Sequence, residues 1–305
     1  MAVETLTTPR TNLPNQFVDV TARELDFVSR FGDAWNSLQE ILGIMNPIKK
    51  ENGTKLVSYK AEVTLEDGNV TAGAVIPYSK AKITETSHAD LTIDKYAKAV
   101  TIEDVHQYGT SVAVQKTDDA FLNELQGNLI DDFYGTLTEN TDALGAEYDT
   151  FQMAVAMAVG MVKDKFKKIR KNVTDVVVFV NTIDAYKYLG AAELTTQTAF
   201  GLDYVEGFMG TRALIVSSEI PEGKVIAIPS ENIVLYYVDP ATQFAELGLV
   251  YTTDGETNLI GFHAQGNYTT AVGESFALMG MKLWLEYADG VCINTIKKAT
   301  TGGEG

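Results

Sequence analysis

The chain has 305 residues, 45% hydrophobic and 21% charged, with 24 Lys and Arg against 41 Asp and Glu, a formal net charge of −17. This is ordinary globular usage, enough for one large domain or two modest ones, and it excludes a disordered or collagen-like chain. So acidic a balance argues against wrapping nucleic acid, which takes clustered Lys and Arg. A single cysteine, Cys292, excludes an internal disulfide and fits a reducing compartment.

Residues 1–21 are rich in Thr, Asn and Pro and read as an extended arm, without the apolar stretch of a secretory signal. From Ala22 to Gly43 the pattern turns helical through Leu25, Val28, Trp35, Leu38, Ile41 and Leu42, with Gly32 expected to break it in two and Asn46-Pro47 closing it. Lys55 to Glu66 alternates, with Val57, Tyr59, Ala61, Val63 and Leu65 facing one way, which predicts a half-buried strand ended by Asp67-Gly68. A second alternating run follows at Ala89, Leu91 and Ile93, across a long polar connection at 69–88. Residues 54–95 therefore read as a two-stranded arm with little core of its own, marginal in water unless it packs on something else, such as another subunit.

The strongest element is a helix from Asp118 to Leu137, with Thr117 as its cap and Asp118 and Asp119 in its first turn. Phe121, Leu122, Leu125, Leu129, Ile130, Phe133, Tyr134 and Leu137 form one apolar stripe. The other face is acidic: residues 118–149 hold nine acids and no base. A second helix runs from Thr150 to Lys171. Its first half is apolar all round and so reads as buried, and its last turns carry Lys163, Lys165, Lys167, Lys168, Arg170 and Lys171, where cations suit the helix C-terminus. The apolar run Met153–Val162 is half the roughly 20 residues a bilayer span needs. Val176–Val180 reads as a buried strand, and Asn181-Thr182 opens a helix through Leu189. Further strands fit 212–216, 224–228, 233–238, 247–252, 259–263, 281–287 and 291–296, and the tail 300–305 reads as disordered. The fold class is α+β.

No phosphate-binding glycine loop, nucleophile elbow, EF-hand or zinc spacing is present. Cys292 reads as a buried structural thiol, His88 and His106 as surface groups, and His263 as a satisfied strand residue. The pairs Asp118-Asp119 and Asp131-Asp132 could bind calcium or act as acid and base, yet read more simply as a solvated or interface-facing helix surface. No catalytic constellation, metal site or cofactor is expected, so the chain reads as a non-enzyme. The basic cluster reads as structural or inter-subunit, its complement the acidic stretch 118–149 of a neighbour. The interface residues expected are Lys163, Lys165, Lys167, Lys168, Arg170, Lys171, Asp131 and Asp132, with Tyr78 and Lys80 in the arm.

Several stretches carry a family resemblance by their order and spacing across residues 55–296. They are Ala72-Gly-Ala-Val-Ile-Pro77, Asp90-Leu-Thr-Ile-Asp-Lys-Tyr-Ala-Lys-Ala99, Thr117-Asp-Asp-Ala-Phe-Leu122, Val176-Val-Val-Phe-Val-Asn181, Ala213-Leu-Ile-Val-Ser-Ser218, Ile220-Pro-Glu-Gly223 and Glu286-Tyr-Ala-Asp-Gly-Val291. Together they resemble the major capsid proteins of tailed bacteriophages, the Hong Kong 97-type fold. The resemblance implies an N-terminal arm with short helices at 1–45, an extended two-stranded loop at 46–95, and a peripheral domain with a long spine helix at 96–150 and 255–285. It places an axial domain at 151–254 and 286–298 and a flexible tail at 299–305. It also implies hexamers and pentamers that enclose double-stranded DNA without reading its sequence, portal and decoration partners, a place in the virion after assembly in the bacterial cytoplasm, and no membrane. Some members of that family carry a long scaffolding segment before the arm, and here the first helix pattern follows the 21-residue arm directly, so a separate scaffolding protein is expected. An acidic lining would repel packaged DNA within a screening length of about 10 Å. An encapsulin-type nanocompartment shares the fold, and a soluble acidic enzyme or binding module is the alternative of a different class.

Overall fold

The computed structural model describes residues 16–44, 47–192, 196–240, 248–255 and 257–297. It opens on α1 (Gln16–Leu42), one helix of 27 residues. The last six residues of the expected arm, 16–21, are thus helical, and residues 1–15 lie outside the described residues. The helix runs through Gly32 without a break. Glycine costs a helix about 1 kcal/mol. Phe27, Phe31, Trp35, Leu38 and Leu42 are almost fully buried on one face, and each contributes about 1.5–3 kcal/mol, so the unbroken helix wins.

After β1 (Ile48–Lys49), strands β2 (Thr54–Thr64) and β3 (Lys80–Leu91) form an antiparallel ladder from Thr54↔Leu91 to Thr64↔Lys80. β3 begins nine residues before the expected Ala89, because pairing with β2 recruits the polar stretch 80–88 that lacks an apolar pattern of its own. Which face is buried also differs from expectation. Leu56 and Ser58 are buried while Tyr59, Val63 and Leu65 are exposed, and a bulge at Ser58/Tyr59 shifts the register. At its base the arm is held by a small core of Leu56, Leu91, Ile93, Val238, Leu278 and Trp284.

β4 (Asp94–Thr101) leads into the short α2 (Ile102–Tyr108), whose Thr101/Asp104 capping box is complete. The long α3 (Thr110–Thr138) starts eight residues before Asp118, just after Gly109 at φ +83°. Thr117 is therefore not a cap: it sits inside the helix, its hydroxyl donating to the Ala113 carbonyl at 2.7 Å. The expected apolar stripe from Leu122 to Leu137 is buried.

After β5 (Glu147–Tyr148), α4 (Phe151–Lys168) starts close to the expected Thr150, which caps it through its hydroxyl. It is not buried all round, since Met153 is 53% and Met157 40% exposed. The remaining elements are β6 (Val176–Asn181), α5 (Thr182–Ala192), β7 (Gln197–Ala199), β8 (Leu202–Glu206), β9 (Ala213–Ser217), β10 (Lys224–Pro229), β11 (Ile233–Tyr237), β12 (Ile260–Asn267), β13 (Val272–Met279), β14 (Met281–Leu285) and β15 (Cys292–Ile296). The strand expected at 247–252 is absent over the described residues 248–252 apart from one bridge, Thr252 to Phe262.

A seven-stranded sheet in the order β5-β15-β10-β6-β9-β8-β7 forms the centre. Its strands alternate between two cores. Val176, Val178 and Val180 face α4 and α5, while Val177 and Phe179 face α1 and α3, which explains a continuous apolar run in place of alternation. Beside it, β4-β13-β12 packs on α1 and α3, and β1-β11-β14 packs on α3.

Candidate functional site

Beyond its base the arm shows no core among the described residues. Val63 is 63% exposed, Ile83 72%, Val75 88% and Tyr78 93%, and Leu65 and Ile76 are exposed with them. These side chains cluster on one hairpin and its tip, whereas single exposed apolar residues elsewhere need no explanation. Lys80 stands at the last rung of the ladder, exposed and without an ion pair among the described residues. The sequence pointed to Tyr78 and Lys80. It missed Val75, Ile76 and Ile83, which lie in stretches read as polar connection.

The basic end of α4 divides into bound and free charges. Lys165 pairs with Asp289 at 2.7 Å, Lys168 with Asp164 one turn earlier at 2.6 Å, and the Lys171 ammonium lies 3.9 Å from the Tyr287 ring centroid. Lys163, Lys167 and Arg170 are exposed and have no carboxylate partner among the described residues. Arg170, at φ +58°, turns the chain out of the helix.

The acids divide likewise. Asp132 pairs with Lys282 at 3.1 Å, and Asp131 is exposed and without an ion pair among the described residues. Asp118 is not on the solvent face: it is 6% exposed and accepts from Arg23 Nε at 2.6 Å and Nη2 at 2.8 Å, with Lys98 as a third contact. Burial pushes its pKa up, but the hydrogen bonds from Arg23 and Lys98 outweigh that and leave it below the usual carboxylate range. Burial pulls the Lys98 ammonium down, and Asp118 restores only part of the shift. Next to this clamp, Glu24 is buried and accepts from the Ala264 amide and the Thr252 hydroxyl, both at 2.7 Å, with His263 Nδ1 at 3.1 Å. These two clamps fix α1 to α3 and to the β12–β13 hairpin. The sequence signal for them was Arg23-Glu24, two adjacent charges inside an apolar helical pattern.

Asp119 pairs with Arg30 at 2.6 Å. His88 and His106 are exposed, and Cys292 is buried with its thiol pKa pushed up to about 12 by desolvation. No group of three or more metal-ligating side chains occurs among the described residues, and no described helix is long and apolar enough to cross a membrane.

No protein-family model matches this sequence, and no curated protein matches it. Among solved structures, the chain is similar to a virus-like particle from Pyrococcus furiosus at 11% identity, covering 88% of this chain and 97% of that one, with a TM-score of 0.48. It is also similar to the mature capsid of bacteriophage PhiM1 at 7% identity, covering 83% and 85%, TM-score 0.49. A third similar structure is the holo-SrpI encapsulin complex of Synechococcus elongatus PCC 7942, at 10% identity, covering 100% and 95%, TM-score 0.42.

Proposed function

We propose that this chain is the major capsid protein of a tailed bacteriophage, a structural non-enzyme whose hexamers and pentamers form the head shell around packaged double-stranded DNA. The arm carries this reading. A long two-stranded ladder anchored only at its base, with six large apolar side chains in water, is stable and useful only when another copy covers it. The element order read from the sequence supports it too. On this reading β4, α2, α3, β12 and β13 form the peripheral domain, and the seven-stranded sheet with α4 and α5 forms the axial domain. Assembly then takes place in the host cytoplasm on a separate scaffolding protein, with a portal and decoration proteins as further partners.

The test is the particle formed by the recombinant full chain, alone and co-expressed with the genes encoded beside its own, read by light scattering and negative-stain electron microscopy. Closed shells or hexamer sheets are expected, with nucleic acid and not a protein cargo inside particles taken from infected cells. A monodisperse monomer under both conditions overturns the proposal.

A further inference from the structure

We infer that the groove between α3 and the C-terminal end of β9 receives the basic C-terminal end of α4 from a second copy of the chain. This rests on the shell-building reading and names one contact by which copies join.

The groove has a volume of about 480 Å³, and its lining includes Asn123, Gln126, Asp131, Tyr134, Ser217 and Glu219. It holds two carboxylates and no base. Tyr134 is 3% exposed, and its hydroxyl, although Ser217 is beside it, has no hydrogen bond of good geometry among the described residues. Burial first, then the charges of Asp131 and Glu219, push the phenol pKa up, so the negative potential reaches this hydroxyl. Two carboxylates are too few for a calcium ion, which takes six to eight oxygens. The polar side chains offer acceptors to a cation that carries several N–H donors on a long stem, which describes Lys and Arg.

The matching cations are Lys163, Lys167 and Arg170, all without a carboxylate partner among the described residues. They cannot reach the groove of their own chain. α4 packs on one face of the central sheet and α3 on the other. The sites also lie at opposite ends of the strands. The end of α4 meets Gly290 through Phe166, next to the Pro229↔Val176 rung, whereas Ser217 pairs with Asn181 at the far end of β6. Five strand steps of about 3.3 Å and a sheet's thickness of about 10 Å separate them. A knob and a socket on opposite sides of one subunit make a heterologous contact, the kind that closes into rings when the rotation allows.

Zero-length carbodiimide coupling of the unmodified full chain tests this, followed by mass spectrometry of the dimer band from a denaturing gel. Links between Lys163 or Lys167 and Asp131 or Glu219 are expected, and they can only join two chains. The intrachain pairs Lys165–Asp289 and Lys297–Asp149, at 2.7 and 2.9 Å, report that the reagent worked. Asp131→Lys with Glu219→Lys is expected to reduce the linked dimer about tenfold, and adding Lys167→Glu and Arg170→Glu to the same chain to restore it. Intrachain links without these dimer links overturn the inference. If shells form in the microscope while the links are missing, only the inference falls. If the links form and shells never do, the contact stands and the shell-building reading falls.

Discussion

Asp118→Asn puts the buried clamp on α1 to a quantitative test. The substitution leaves the Arg23 guanidinium and the Lys98 ammonium facing each other with no anion between them, Lys98 being the more buried at 13% side-chain exposure. Breaking a buried ion pair by removing one partner costs about 3–5 kcal/mol. Arg23 keeps its 2.9 Å bond to Ser275 and some solvent, so the expected loss lies near the lower bound, about 3 kcal/mol. Lys98→Met is different in kind. Asp118 keeps both bonds from Arg23, and an ammonium that burial disfavours is removed, so the expected cost is about 1 kcal/mol or less. Urea unfolding of the unassembled chain at pH 7 measures both. The pH dependence follows from the shift. The folded-state pKa of Asp118 is depressed, so its contribution is fully present above the usual carboxylate range and is lost as pH falls through the lowered value. The gap between wild type and Asp118→Asn is therefore expected to close below about pH 4. Lys98 is also lowered, but as a base, so its cost persists through neutral pH and is relieved only as pH rises through the lowered value. A loss for Lys98→Met equal to that for Asp118→Asn, or a gap constant down to acid pH, refutes the reasoning.

Ile83→Asp, at a 72% exposed site, is expected to change unfolding by no more than about 0.5 kcal/mol and yet abolish particles in electron microscopy; normal particles would remove the arm from the interface. Cys292, fully buried with its thiol pushed up to about 12, is expected to resist a thiol reagent at neutral pH until denaturant unfolds the chain, and fast native labelling would contradict its placement. Gly290→Ala puts a methyl 2.8 Å from the Phe166 ring and 3.1 Å from Asn232, for a loss of about 1–3 kcal/mol in thermal unfolding. Gly160→Ala, with nothing within 4 Å on α4, is expected to gain about 0.4–1 kcal/mol.

What could be read from sequence was whatever has a local period. The stripe of α3, the start of α4 near Thr150 and the buried β6 each carry their signal within a few residues. Elements set by partners were not legible. β3 takes its first nine residues from pairing with β2, and β13, whose Val-Gly-Glu-Ser opening resembles loop, is held by β4 on one side and β12 on the other. The start of α3 was hidden in a Thr-, Ser- and Val-rich stretch, and Gly109, not Thr117, marks it. Gly32 misled because propensity is local while burial of the flanking Phe31 and Trp35 is not. The surfaces were half visible: the cluster on α4 announces itself by composition, whereas sorting its free cations from its paired ones needs Asp289 and Tyr287, more than a hundred residues away.

The first helix and the last strands of this chain complete each other. Phe27 stacks on Phe262 with ring centroids 4.0 Å apart, and β15 lies inside the central sheet between β5 and β10, not at its edge. Neither large core is complete until β15 takes its place, and without it the other six strands of the sheet leave a gap between β5 and β10. Contacts of such sequence separation make for slow folding. They also act as a proofreading step: a truncated translation product lacks the strand that joins β5 to β10 and cannot present either the groove or the basic helix end on a finished scaffold. On the shell-building reading, only subunits with this strand in place enter the lattice.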